Sequence, residues 1–146
     1  MNEELELFTK AIEFASNEQY LDAVQEFDTI INKFPKSDLV DDAIYNIGLC
    51  YFNMHQLDVA ITHFNKIIEE YPEATIHSPN KIEEGKTAAK ALLGIFNCYF
   101  IQNKMDEAKK IVDKLSIYDN NSFIIIDNTK HSFKEIAEET LNSINN

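Results

Sequence analysis

The stretch I-Y-N-I-G-L-C-Y-F-N-M-H-Q-L-D-V-A-I-T-H-F-N-K-I-I-E-E-Y-P, Ile44 to Pro72, decides the fold. In its second half Ala60, Ile61, Phe64, Ile67, Ile68 and Tyr71 follow the spacing of one helical face. Pro72 comes directly after, and proline restrains its preceding residue from the helical region, so the helix stops there. The pattern has a partner 37 residues earlier, in the pairs Leu7/Ile44, Ala11/Gly48, Phe14/Tyr51, Ala23/Ala60, Val24/Ile61, Phe27/Phe64, Ile30/Ile67, Phe34/Tyr71 and Pro35/Pro72. A period in this range marks a duplicated helix-turn-helix unit, because one such unit cannot bury its apolar face without a stacked neighbour.

A third copy lies 48 residues further on, through Ile47/Ile95, Cys50/Cys98, Tyr51/Tyr99, Phe52/Phe100, Leu57/Met105, Asp58/Asp106, Ala60/Ala108 and Ile67/Leu115. The middle copy resembles the tetratricopeptide pattern W-x2-L-G-x2-Y…A-x3-F…P. Gly48, Tyr51, Ala60, Phe64 and Pro72 stand unchanged, with Ile44 at the Trp site and Ile47 at the Leu site. Copy one matches through Leu7, Ala11, Phe14, Ala23, Phe27 and Pro35, with Lys10 a departure at the Leu site. Copy three matches through Leu92, Ile95, Tyr99 and Ala108, and departs at Phe96, Val112 and Asn120, where Gly, Phe and Pro are expected. The resemblance implies an all-α fold, a right-handed α-solenoid of about three helix-turn-helix units, and a non-catalytic protein-interaction role. Copies joined by F-P-K-S-x-x-x-D-D-A, Phe34 to Ala43, also look like those of bacterial outer-membrane assembly lipoproteins and Tol-Pal coordinators.

The residue types support this packing directly. Gly48, Ala60 and Ala108 sit where helices approach closely, and Phe14, Tyr51, Phe64 and Tyr99 fill the gaps between them. One domain over 1–146 is expected, with repeats at about 4–37, 41–74 and 79–118 and an insertion at 73–85; such a chain buries roughly 70% of its unfolded surface. Ser78-Pro79 reads as an N-cap and first helical residue, which extends the first helix of copy three from about Pro79 to Gln102; the alternative is a loop ending near Lys86. Beyond copy three, Phe123 to Ile126 reads as a strand-like or coiled segment. Ser132-Phe133-Lys134-Glu135 is a capping box that starts a helix with Phe133, Ile136, Ala137, Leu141 and Ile144 on its apolar side. This carboxy-terminal region, 119–146, is expected to cap the last repeat, with a dimerisation surface as the alternative.

Catalysis and cofactors find no support in the sequence. Three separated glycines make no phosphate cradle, and no G-x-S-x-G or Cys/His signature occurs. The adjacent carboxylates Asp41/Asp42, Glu69/Glu70 and Glu83/Glu84 point in different directions on helices and read as solvated. His55, His63, His77 and His131 lack H-E-x-x-H or Cys/His ligand spacing, so no metal is assigned. Cys50 and Cys98 read as buried thiols; a bridge needs Cα atoms within about 7 Å, against about 8–10 Å between packed helix axes.

The chain has 25 acidic residues against 13 basic ones, a formal net charge of -12, and every basic residue is Lys. Concentrated basic charge for nucleic acid or anionic membrane is missing, and a basic or apolar protein or peptide is the partner class that remains. Met1-Asn2-Glu3-Glu4 is no signal peptide, and no apolar run approaches the ~20 residues that span a bilayer. A true start at Met1 predicts a cytoplasmic location, and an upstream export signal a periplasmic one.

The resemblance further implies that the first helices of successive repeats line a concave groove. Helical spacing on those helices selects Leu5, Phe8, Ile12 and Ala15, then Asp42, Tyr45, Leu49, Phe52 and Asn53, then Lys90, Leu93, Asn97, Phe100 and Ile101. Family members that grip chaperone carboxylate tails use Lys and Asn where this chain has Phe8 and Ile12, so that clamp is missing. An amphipathic helix or extended apolar peptide is the expected occupant. The alternative is a structural subunit of an envelope or other multiprotein assembly, using its convex edge or the 73–85 insertion.

Overall fold

Phe34 and Tyr71, the residues before the two repeat prolines, have φ of -125° and -132°, and each still donates its N–H to the carbonyl four residues back, Ile30 and Ile67, at 2.8 Å. The two helices therefore end where proline excludes helical backbone from its predecessor. The computed structural model describes residues 2–144, and these fall into two compact units that meet in sequence between Tyr71 and Pro72.

The first unit is two helical hairpins, α1 (Glu3–Ser16) with α2 (Tyr20–Lys33) and α3 (Val40–Asn53) with α4 (Leu57–Glu70), and α2 also packs on α3. Its core holds Phe8, Ala11, Ala23, Val24, Phe27, Ile30, Leu39, Ala43, Ile47 and Cys50, edged by Leu7, Phe14, Ile31 and Tyr51. In the second hairpin Ala60, Phe64 and Ile67 are sealed, while Ile61, Ile68 and Tyr71 are half-buried. A Cβ on Gly48 would stand 2.7 Å from Phe64 Cε1, so the glycine is required by the approach of the ring.

The second unit begins with the insertion, followed by the third hairpin, α5 (Thr87–Ile101) and α6 (Met105–Leu115). A 3₁₀ turn at Ser116–Tyr118 leads to a small sheet and then α7 (Phe133–Ser143), which packs on both α5 and α6 as a cap on that hairpin would. The sheet has the order β1 (Glu83–Glu84), β2 (Phe123–Ile126), β3 (Thr129–Ser132), with Glu84 opposite Phe123 and Phe123 opposite Ser132, all antiparallel. The all-α helical-repeat class expected from the sequence holds, with this sheet added to it.

The early start of the copy-three helix near Pro79 is corrected. Ser78 to Lys81 is a turn, in which Lys81 has φ 58° and its N–H reaches the Ser78 carbonyl at 2.9 Å. The helix starts at Thr87, because Gly85 at φ 117° breaks any helical path and Thr75 bridges to Lys86 instead. The segment at 123–126, expected to be strand-like or coiled, is a strand, and its partner β3, Thr-Lys-His-Ser, was not foreseen. Asp127 and Asn128, at φ 50° and 63°, form the two-residue turn between them, a geometry that matches the twist of a hairpin.

The three hairpins share one turn. Glu18, His55 and Asn103 all have φ near 60°, at sequence offsets of 37 and 48. In each, the next amide (Gln19, Gln56, Lys104) donates to the carbonyl of Phe14, Tyr51 or Tyr99 at 2.8–2.9 Å, closing the first helix. At the other end of the chain, Ser132 Oγ accepts from Glu135 N–H at 3.0 Å, as the capping box predicts, and donates to Asp119 Oδ1. Ser132→Ala is expected to cost about 1 kcal/mol in urea denaturation, the usual loss for an N-cap. An unchanged midpoint would mean that the cap contributes nothing here.

Candidate interaction surface

The residues selected for a groove fall into two sets, one in each unit. On α1 of the first unit, Phe8 lies in the core, edge-on to Phe27 with ring centroids 5.5 Å apart, whereas Ile12, one turn later, is 37% exposed. The Phe8/Ala11 pair faces the interior, so Phe8 packs and does not line an open surface. Asp42 is likewise buried, in the first turn of α3, where the helix dipole favours a carboxylate. Both placements correct the sequence expectation, which applied helical spacing without the actual rotation of each helix.

On α3, Tyr45 is half-buried with its ring 5.5 Å from that of Phe64 and tilted 41° to it, so it shares the packing of the second hairpin. Leu49 and Phe52 are half-buried and Asn53 is exposed. These follow the i, i+3, i+4 rows that put side chains side by side on a helix. Cys50, by contrast, is sealed beside them, and burial pushes its thiol up to about 11. It is a packing thiol, inert at neutral pH, and Cys98 is buried as well.

His63 stacks parallel on Tyr51, with an interplanar angle of 2° and centroids 5.4 Å apart. Burial lowers its pKa, Asp28 pulls it back up, and Lys66 adds to the lowering. The neutral ring is the form this stack holds at pH 7.

In the second unit, Leu93, Asn97 and Phe100 are half-buried on α5 and Ile101 is 56% exposed. Phe100 stacks on the sealed Phe96 at 5.9 Å. Lys90 is engaged within the unit, since its Nζ meets Glu83 Oε2 at 2.8 Å. The insertion thus lays β1 against one end of the α5 face. Its Glu83 belongs to a carboxylate pair that the sequence suggested was merely solvated.

A further cluster escaped the sequence reading. His131, Glu135 and Glu139 bring one imidazole nitrogen and two carboxylates within 4.8 Å of one another. The signal was present as H-x3-E-x3-E, which differs from the H-E-x-x-H and Cys/His spacings that suggest zinc from sequence. No helix among the described residues is long and apolar enough to cross a membrane.

Two comparisons bear on identity. No curated protein matches the chain. Residues 42–74, from the first turn of α3 through α4, match the family model described as tetratricopeptide repeat. Its Gly48/Phe64 contact, shared hairpin turn and proline-terminated second helix are the physical counterparts of that pattern, and residues 42–74 are in this sense similar to a tetratricopeptide repeat.

Proposed function

We propose that the chain is a non-catalytic protein-interaction module that holds a peptide or amphipathic helix of a partner against the partly open side of α3. The observation that carries this reading is the division of α3: Ile44, Ile47 and Cys50 are sealed, while Leu49 and Phe52 keep apolar surface open to solvent and Asn53 stands beside them. Partly open apolar and aromatic side chains on a rigid helix are suitable anchors, because they lose little conformational freedom on binding. The acidic balance favours a partner whose flanks are basic, through attraction that salt would weaken.

Phe52 is the test residue, since Tyr45 is partly committed to Phe64. Phe52→Ala is expected to weaken partner capture by about 2 kcal/mol or more, roughly 30-fold, as loss of a central anchor does. The thermal midpoint should remain close to that of the unchanged chain. Pull-down from the native cell extract, followed by affinity measurement on the recovered protein, reads both. A variant that binds equally well removes the α3 face from the site, and one that unfolds assigns Phe52 to the core.

A second reading, docking in a larger assembly through the 73–85 insertion, is supported by Ile82, which is 46% exposed beside β1. Ile82→Asp would then abolish assembly while leaving peptide capture intact.

A further inference from the structure

We propose that His131, Glu135 and Glu139 form a binding site for one divalent transition-metal ion of the zinc class. His131 belongs to β3, opposite Ile124, while Glu135 lies in the first turn of α7 and Glu139 one turn further on. The site thus spans a strand and a helix that meet at the Ser132 cap. The backbone beneath it is held on both sides: the ladder fixes His131, the cap bond from Glu135 N–H fixes the junction, and buried Phe133 and Ala137 seat the helix.

The spacing fits a metal. Ligand bonds of about 2.0–2.1 Å in a tetrahedral shell place neighbouring donor atoms about 3.3–3.4 Å apart. His131 Nδ1 and Glu135 Oε1 are 3.3 Å apart, so two of the ligands already have the edge length of such a shell. The three ligand atoms all lie within 4.8 Å, and Glu139 is exposed, so its long side chain closes the remainder by rotation alone, a shift of about 1.5 Å. Competing cations are turned elsewhere. Lys130 Nζ sits 4.3 Å from the centre of the Phe123 ring, and Lys134 is about 100° around the helix from Glu135.

The donor set selects the ion. Calcium needs six to eight oxygens and magnesium an octahedron of oxygens, whereas an imidazole with two carboxylates suits zinc and its borderline neighbours. Three protein ligands leave at least one position to water. Bound there, the ion would tie β3 to α7 and stabilise the folded chain in proportion to its occupancy.

The test uses the full chain freed of metal by chelation. Titration with zinc, followed by calorimetry, and with cobalt, followed by its visible absorption, is expected to give one site per chain, together with a thermal midpoint that rises with zinc. His131→Ala and the exposed-site variant Glu139→Gln should each lower zinc affinity by more than the about 10–100-fold that loss of an outer-shell partner costs. His55→Ala and His77→Ala should leave it unchanged. Calcium and magnesium should not compete. Absence of zinc binding, undiminished binding by Glu139→Gln, or loss that follows His55→Ala or His77→Ala as strongly would each overturn the assignment.

Discussion

Phe96→Ala is expected to destabilise the second unit by about 3–5 kcal/mol, and Val112→Phe placed on top of it to restore part of that loss. The reasoning starts from the repeat. At one pair of equivalent sites copy one has Ala11 and Phe27, and copy two has Gly48 and Phe64. In copy two the pair is in contact, because a Cβ on Gly48 would stand 2.7 Å from the Phe64 ring. The first helix therefore supplies the space and the second helix the ring. Copy three reverses the sizes, with Phe96 on the first helix and Val112 on the second, and both are buried. These departures from the repeat pattern move the ring from the second helix of the hairpin to the first, and the side chain facing it is small enough to leave it space, as a close-packed interior requires.

The exchange has a measurable signature. Val112→Phe alone should overpack the α5/α6 contact and cost about 1–3 kcal/mol. The double variant should be more stable than the sum of the two losses by about 1 kcal/mol or more, since residues sharing one space are coupled. Urea denaturation of the four proteins closes the cycle. Strict additivity would show that Phe96 and Val112 do not share a space, and that the size reversal is coincidental.

Gly85→Ala is expected to cost about 3 kcal/mol and to detach the insertion. Gly85 has φ 117°, a region an L side chain rarely adopts. A Cβ there would also fall 2.3 Å from Ser122 Oγ and 2.5 Å from the Asn121 carbonyl oxygen. Strain of about 1–3 kcal/mol at the backbone and a similar overpacking cost act together. The neighbouring bonds show what would be lost: Ile76 N–H donates to the Gly85 carbonyl at 2.9 Å, and Lys86 N–H to Ser122 Oγ at 3.0 Å. Hydrogen exchange should show the Ile76 and Lys86 amides losing protection first, with β1 following. Retained protection together with an unchanged melting temperature would show that the segment accommodates a side chain at 85.

Much of the fold was legible because helical hairpins are written in local patterns. The 3.6-residue stripe through Ala60, Phe64 and Ile67, the following Pro72, and the Ser132 cap each act within a turn or two of their own position. The sheet was half-legible. Phe123 to Ile126 has strand composition, but β3 is Thr-Lys-His-Ser and β1 is Glu-Glu, and neither carries a pattern of its own. Those residues extend because β2 offers them hydrogen-bonding partners, 39 and 41 positions away in the case of β1. The hairpin turn at Asp127-Asn128 was the one local clue to β3.

The candidate surface divides in the same way. Helical spacing on α3 selected Leu49 and Phe52, both half-buried, yet it could not fix the rotation of α1, and Phe8 is a core residue against Phe27. Lys90 was chosen as a groove residue and is held by Glu83 of the insertion, a contact between segments whose pairing no periodicity records.

By itself, then, the sequence determined the helical-repeat class, where the second helices of copies one and two end, the size constraint at Gly48 and the capped start of α7, because propensity, proline sterics and apolar period act over a few residues. Tertiary structure alone decided that 73–85 folds onto β2 and not into a longer α5, and that Phe8 and Asp42 turn inward. Each of these depends on the positions of residues relative to surfaces brought near only by packing, and a linear pattern holds no record of that distance.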